Sequence, residues 1–227
     1  MEQRGFLMKL EATIEALDKH KLDAAQLKGL NINLCRMTLD QNSELKPHFF
    51  APRHDIPQPS DEILNEACSD SYAFHDVEFL DSAPWRSMQP IDYTPYKDLY
   101  QYDKPAFGAF RMVDIAGREF PHFKAVIYND LEADNETCFR GELLISLRIM
   151  LGQLTKIRLV HHNIVPVLLI SLMGKHARLL ESYFDSSSKS FVMRSSDLYV
   201  FSDQASISKA FKTLAEYFLG DPTGKTV

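Results

Sequence analysis

Cysteine is scarce: Cys35, Cys68 and Cys138 are the only three in 227 residues. An odd number without metal-type spacing reads as reduced thiols in an intracellular protein. Nothing in "MEQRGFLMKLEATIEALDKH" has the charged-then-apolar order of a secretory signal, and charges interrupt every apolar run well before bilayer length. The expected setting is the cytoplasm or nucleus, with no membrane. Lys and Arg are missing between Arg53 and Arg86, where Asp55, Asp61, Glu62, Glu66, Asp70, Asp76, Glu78 and Asp81 all fall. From Thr137 onward the balance reverses, with eleven Lys and Arg against seven acids. A net charge of −6 argues against a general nucleic-acid coat and leaves room for a local basic groove. The acidic stretch reads first as solvated surface, and second as an arm that covers a basic face or repels phosphate.

Two familiar loops are also missing. The C-terminal "GDPTGKTV" looks like a phosphate-binding loop, but Gly220 and Gly224 enclose three residues where the motif needs four. It reads as a tail. A calcium loop beginning at Asp130 would need Gly and Glu at its sixth and twelfth positions, which hold Asn135 and Gly141. There is no support for a serine or cysteine nucleophile, no internal repeat and no low-complexity tract.

What is present is a globular composition, 45% hydrophobic and 11% aromatic, in a chain long enough for a sizeable core. Leu7, Leu10, Ile14 and Leu17 lie at helical spacing, and "LDAAQLKGLNINLCRM" reads as a second helix interrupted by Gly29. This helical segment, 1–42, is expected to pack on the domain or form a dimer seam. Prolines punctuate 43–103, which reads as an aromatic-rich wrapping segment with a short helix at "SDEILNEAC". From 104 to 227 the order is ββαβββα. "FGAFRMVDI" and "HFKAVIYND" are strands, followed by a long helix in "ETCFRGELLISLRIMLGQLTKI". Strands at "IVPVLLISLMG", "HARLLESYFD" and "SFVMRSSDLYVF" come next, and "ASISKAFKTLAEYFLG" is the closing helix. This pattern predicts an α/β or α+β core, a mixed central sheet flanked by helices.

Several polar groups are candidates for chemistry. Asp130, Glu132, Asp134 and Glu136 alternate at the end of a strand. The first reading is a strand end and helix cap, with Asp134 or Asn135 at the cap. The second is a divalent-metal site at Asp130 or Glu132. His161 and His162 are adjacent on a loop, as a solvated pair or an acid/base pair. Lys175, His176 and Arg178 make a small basic cluster suited to phosphate. Arg140 and Glu142 open the long helix, either as a surface ion pair or as part of the same site as the strand end before them.

The run from "KPAFGAFRMVDIAGREFPHFKAVIYND" through "RGELLISLRIMLGQL" to "VPVLLISLMGKHARLLESYFD" resembles the PD-(D/E)XK nuclease superfamily, in a version found in fungal proteins. The resemblance covers roughly residues 104 to 201 and rests on element order and hydrophobic texture. It implies a restriction-endonuclease-like core and carboxylates that hold Mg²⁺ or Mn²⁺, with a lysine to orient water. Pro105 is present, but Ala106 stands at the Asp position, Tyr128 at the metal-binding Glu and Asp130 at the Lys. A relocated set would be Asp114, Asp130 and Glu132, with Lys124 as the cation.

Three functions are therefore expected in turn. The first is a non-catalytic or catalytically altered member of that fold, a binding or assembly module that meets itself or a protein partner through the N-terminal helices. The second is a divalent-metal nuclease with relocated carboxylates, acting on DNA or RNA through the basic half. The third is a small-molecule enzyme whose pocket is walled by the aromatic loop near Trp85.

Overall fold

The computed structural model describes residues 2–59, 84–88 and 95–227. The short helix expected at "SDEILNEAC" and most of the acidic stretch lie outside them. In chain order the elements are α1 (Glu2–Glu15), β1 (Lys21–Asp23), α2 (Ala24–Gly29), β2 (Ile32–Arg36), β3 (Trp85–Ser87) and β4 (Tyr100–Gln101). There follow β5 (Phe107–Ile115), β6 (Phe123–Asn129), β7 (Thr137–Phe139), α3 (Arg140–Gln153) and β8 (Val167–Met173). The last are β9 (His176–Asp185), β10 (Ser190–Ser195), β11 (Tyr199–Val200) and α4 (Gln204–Leu219).

β6 and β8 carry apolar residues on both faces, so each needs cover on both sides. They lie parallel at the centre of a nine-stranded sheet, joined through α3. The order across the sheet is β2, β10, β9, β8, β6, β5, β3, with β4 also on β5 and β11 also on β9. β2 runs parallel to β10, and the remaining pairs are antiparallel, which makes the sheet mixed as expected. One face packs against α3, and α1 lies over α3 in turn. The other face packs against α4 and residues 37–50.

The N-terminal part departs from its expected form. Leu7, Leu10 and Ile14 of α1 are buried inside the fold, and Arg148 of α3 reaches back to Glu11 at 2.8 Å. The apolar stripe offered as a dimer seam is therefore turned inward, where each such side chain contributes about 1.5–3 kcal/mol. The second helix stops at Gly29. Asn31 has φ 59, and "INLCR" continues as β2 at the sheet edge. Strand pairing outweighs helical spacing there because β10 offers a parallel partner for all five residues.

α3 begins at Arg140, later than expected, because Thr137–Phe139 pair with β1. Asp134 does not cap the helix. Its Oδ1 accepts from the amides of Glu136 at 3.0 Å and Thr137 at 2.6 Å, closing a turn before β7. Asn135 instead accepts from the Leu198 amide at 3.1 Å. The helix start is satisfied by Glu142, whose Oε2 accepts from the Phe139 amide at 2.8 Å. α3 is buried nearly all round, as its apolar residues on every side imply.

Residues 220–226 are not a loose tail. Thr223 donates its amide to Phe49 O at 2.9 Å, and Thr226 O accepts from the amides of Asn163 and Ile164 at 2.7 and 3.1 Å. A Cβ on Gly220 would lie 1.9 Å from Ala51 O, so only glycine lets the chain pass there.

Candidate functional site

Where the resemblance would seat a metal, the sheet end is almost filled. The space between Ala106, Asn129, Arg140 and Gly141 is about 10 Å³, also lined by His20, Pro105, Phe107 and Leu131. That is room for about one water. The charged side chain there is cationic. Arg140 donates to Ile14 O at 3.1 Å and Glu15 O at 2.7 Å, capping the C-terminal end of α1, where a cation also suits the helix dipole. Asp130 and Glu132 are exposed beyond the strand. Among the described residues no three His, Cys, Asp or Glu side chains are grouped to hold a metal ion.

The relocated set does not assemble. Asp114 sits opposite Phe123, at the far end of the β5–β6 ladder from Phe107 and Asn129. Seven residue steps separate it from Asp130, roughly 23 Å at strand spacing. Asp114 is fully buried and holds three cations instead, with Arg86 at 3.1 Å, Lys156 at 3.0 Å and Arg158 at 2.9 Å. Lys124 is equally buried. Its Nζ donates to Gly220 O at 2.6 Å and Phe218 O at 3.1 Å at the end of α4, and lies 3.7 Å from the Trp85 ring centre. Burial pushes its amine well below the usual lysine value, with Asp221 opposing. Closed to solvent, it can orient no water.

The basic cluster is dispersed in the same way. Arg178 is buried against Glu142 through Nε at 2.9 Å and donates to Thr137 O at 2.9 Å, while Lys175 stays on the β8–β9 turn and His176 opens β9. Arg140 and Glu142, expected as one surface pair, thus serve two separate buried contacts. Arg194 pairs with Glu181 at 2.8 Å, and Glu181 also accepts from the amides of His48 and Phe49, tying residues 45–50 to the sheet. Much of the positive charge of the C-terminal half is therefore neutralised inside the fold. His162 is buried and donates through Nε2 to Arg118 O at 2.7 Å, with Thr226 Oγ1 2.8 Å from Nδ1, so the histidine pair is divided.

A larger concavity among the described residues lies elsewhere, between α4 and the sheet. Phe211, Leu214, Ala215, Phe218 and Leu219 form a stripe along α4, facing Phe110, Val126, Ile170 and Leu172 across a cavity of about 190 Å³. Arg111 is the one charged residue among the described residues that line it. Trp85 is not part of its wall. The indole is buried, donates to Gly220 O at 2.6 Å and packs against Lys124 and Phe50.

A β-bulge creates this mouth. Between Ala109 and Arg111 the register with β6 slips, so Phe110 and Arg111 both turn to the α4 face. Ala109 and Met112 pack on the α3 side. Bulges re-aim side chains in this manner beside functional sites. "FGAFRMVDI" reads as one regular strand, so the groove was not anticipated. The available signal is the three-residue gap between Ala109 and Met112, where unbroken alternation requires two.

Comparison with known proteins returns no likeness. No family model, curated protein or solved structure matches the chain.

Proposed function

We propose that the protein is a non-catalytic binding module on a restriction-endonuclease-like core, with the groove beneath α4 as its ligand site. The observation that carries this reading is the sheet end. At the position where that family keeps its metal, this chain has Ala106, a cationic Arg140 already bound to α1, and space for about one water. Of the relocated carboxylates, Asp114 stands at the opposite end of the strand pair from Asp130 and Glu132. The groove supports the binding half of the reading. It is an apolar concavity with one charged residue, Arg111, among the described residues that line it, the usual character of a small-molecule site.

Calorimetric titration of Mn²⁺, run beside a cleavage assay on single- and double-stranded DNA and RNA, tests the proposal. The expected result is no metal-dependent cutting and no saturable heat that distinguishes wild type from Asp130→Ala. Cutting that needs Mn²⁺ and is lost in Asp130→Ala would overturn it and restore the nuclease reading.

A further inference from the structure

We infer that the α4 groove takes a small amphiphilic anion, a carboxylate on a short apolar body, with Arg111 holding the headgroup. The inference rests on the binding-module reading and adds the chemical class of the ligand.

Size comes first. A protein cavity of about 150 Å³ takes one benzene, so roughly 190 Å³ fits an apolar body of about six to eight carbon atoms. The walls fit such a body. Phe110, Val126, Ile170, Leu172, Leu214 and Phe218 offer neither donors nor acceptors from their side chains. A polar body would lose its hydration there without replacement, which disfavours sugars and nucleosides.

Arg111 belongs to the cavity lining and is half-buried, and among the described residues it has neither an ion-pair nor a hydrogen-bond partner. Elsewhere the buried guanidiniums are tied to protein acceptors: Arg140 to the α1 carbonyls, Arg178 to Glu142 and Arg194 to Glu181. A guanidinium presents a planar fork of donors that matches a carboxylate bidentately. The bulge at Phe110–Arg111 supports this independently. A regular strand would turn one of these two residues to the α3 side, whereas here the cation and the aromatic ring share the groove face.

Calorimetry on the full-length protein with octanoate and with octanol, which share a tail and differ in charge, tests the inference. Arg111→Met keeps an unbranched stem without the charge, and Ala215→Phe fills the groove from α4. Circular dichroism melts establish that both variants fold. Octanoate should bind about tenfold or more tighter than octanol, the scale of a charge-assisted hydrogen bond. Arg111→Met should bring octanoate down to octanol, and Ala215→Phe should remove both. Equal binding of acid and alcohol, or octanoate binding unchanged in Arg111→Met, would overturn the anion inference and leave the groove reading standing. Absence of binding by either probe, or indifference of folded Ala215→Phe, would overturn the groove reading itself. A dimer that Ala215→Phe dissociates would assign the groove to a second copy and overturn both.

Discussion

Acid should weaken this fold through one histidine. His122 is fully buried among Phe49, Phe50 and Phe120, with its Nε2–H donated to Thr223 O at 2.9 Å and its Nδ1 without a partner among the described residues. Burial pushes the imidazole down to about 4; the Thr223 carbonyl opposes this, while Lys124 and His162 add to it. Above pH 6.5 both folded and unfolded chains carry it neutral, and it has no effect on the pH dependence. Between 6.5 and 4 the unfolded chain takes a proton that the folded one refuses, so stability falls as pH falls, then levels below 4. The fall from 6.5 to about 4 corresponds to about 3 kcal/mol. Carboxylates titrate in the same window, so the test is a difference. Urea unfolding of wild type and His122→Phe is measured from pH 7.5 to 4. At pH 7.5 the variant should lose about 1 kcal/mol for the hydrogen bond to Thr223. By pH 4 it should be the more stable protein by about 2 kcal/mol. A wild-type-minus-variant difference that stays flat across this range would refute the assignment of a buried neutral imidazole.

Other consequences follow from the buried charges and from α1. Asp114→Asn leaves Arg86, Lys156 and Arg158 crowded without their anion, and should cost about 3 kcal/mol in chemical denaturation. A loss below about 1 kcal/mol would mean that the cluster behaves as an exposed ion pair. Glu142→Gln takes the buried counter-charge from Arg178 and leaves one oxygen to serve both that guanidinium and the Phe139 amide at the start of α3, so about 3–5 kcal/mol should be lost. Leu10→Ala should cost about 2–5 kcal/mol while leaving the sedimentation mass unchanged, because its side chain packs within the fold. A change of mass at unaltered stability would return α1 to the role of a dimer seam.

The sheet and its two main helices were legible because their signals are strong and local. Val167–Met173 is apolar on both faces and can only be a central strand, and the α4 stripe has one clear period. β2 was harder. Residues 32–36 alternate only weakly, and the strand exists because β10 accepts it. The candidate site was largely hidden for related reasons. Asp114, Lys124, Arg140 and Arg178 were recognisable as unusual charges, but sequence alone does not reveal that each meets its partner inside the fold. Lys124 finds the end of α4, Arg140 the end of α1, and Asp114 the cations that follow α3 and the one on β3. These partners are 28 to 126 residues away in the chain. The groove depends on a bulge whose trace in the sequence is one residue of phase.

Where this protein binds is tested most directly by an amide NMR titration with octanoate. The account predicts saturable shifts at Phe110, Arg111, Val126, Ile170 and Leu172 and along α4 from Phe211 to Leu219, with the sheet end near Asn129 and Asp130 unmoved. Saturable shifts centred on Ala106, Asn129 and Asp130, with the α4 face silent, would contradict it.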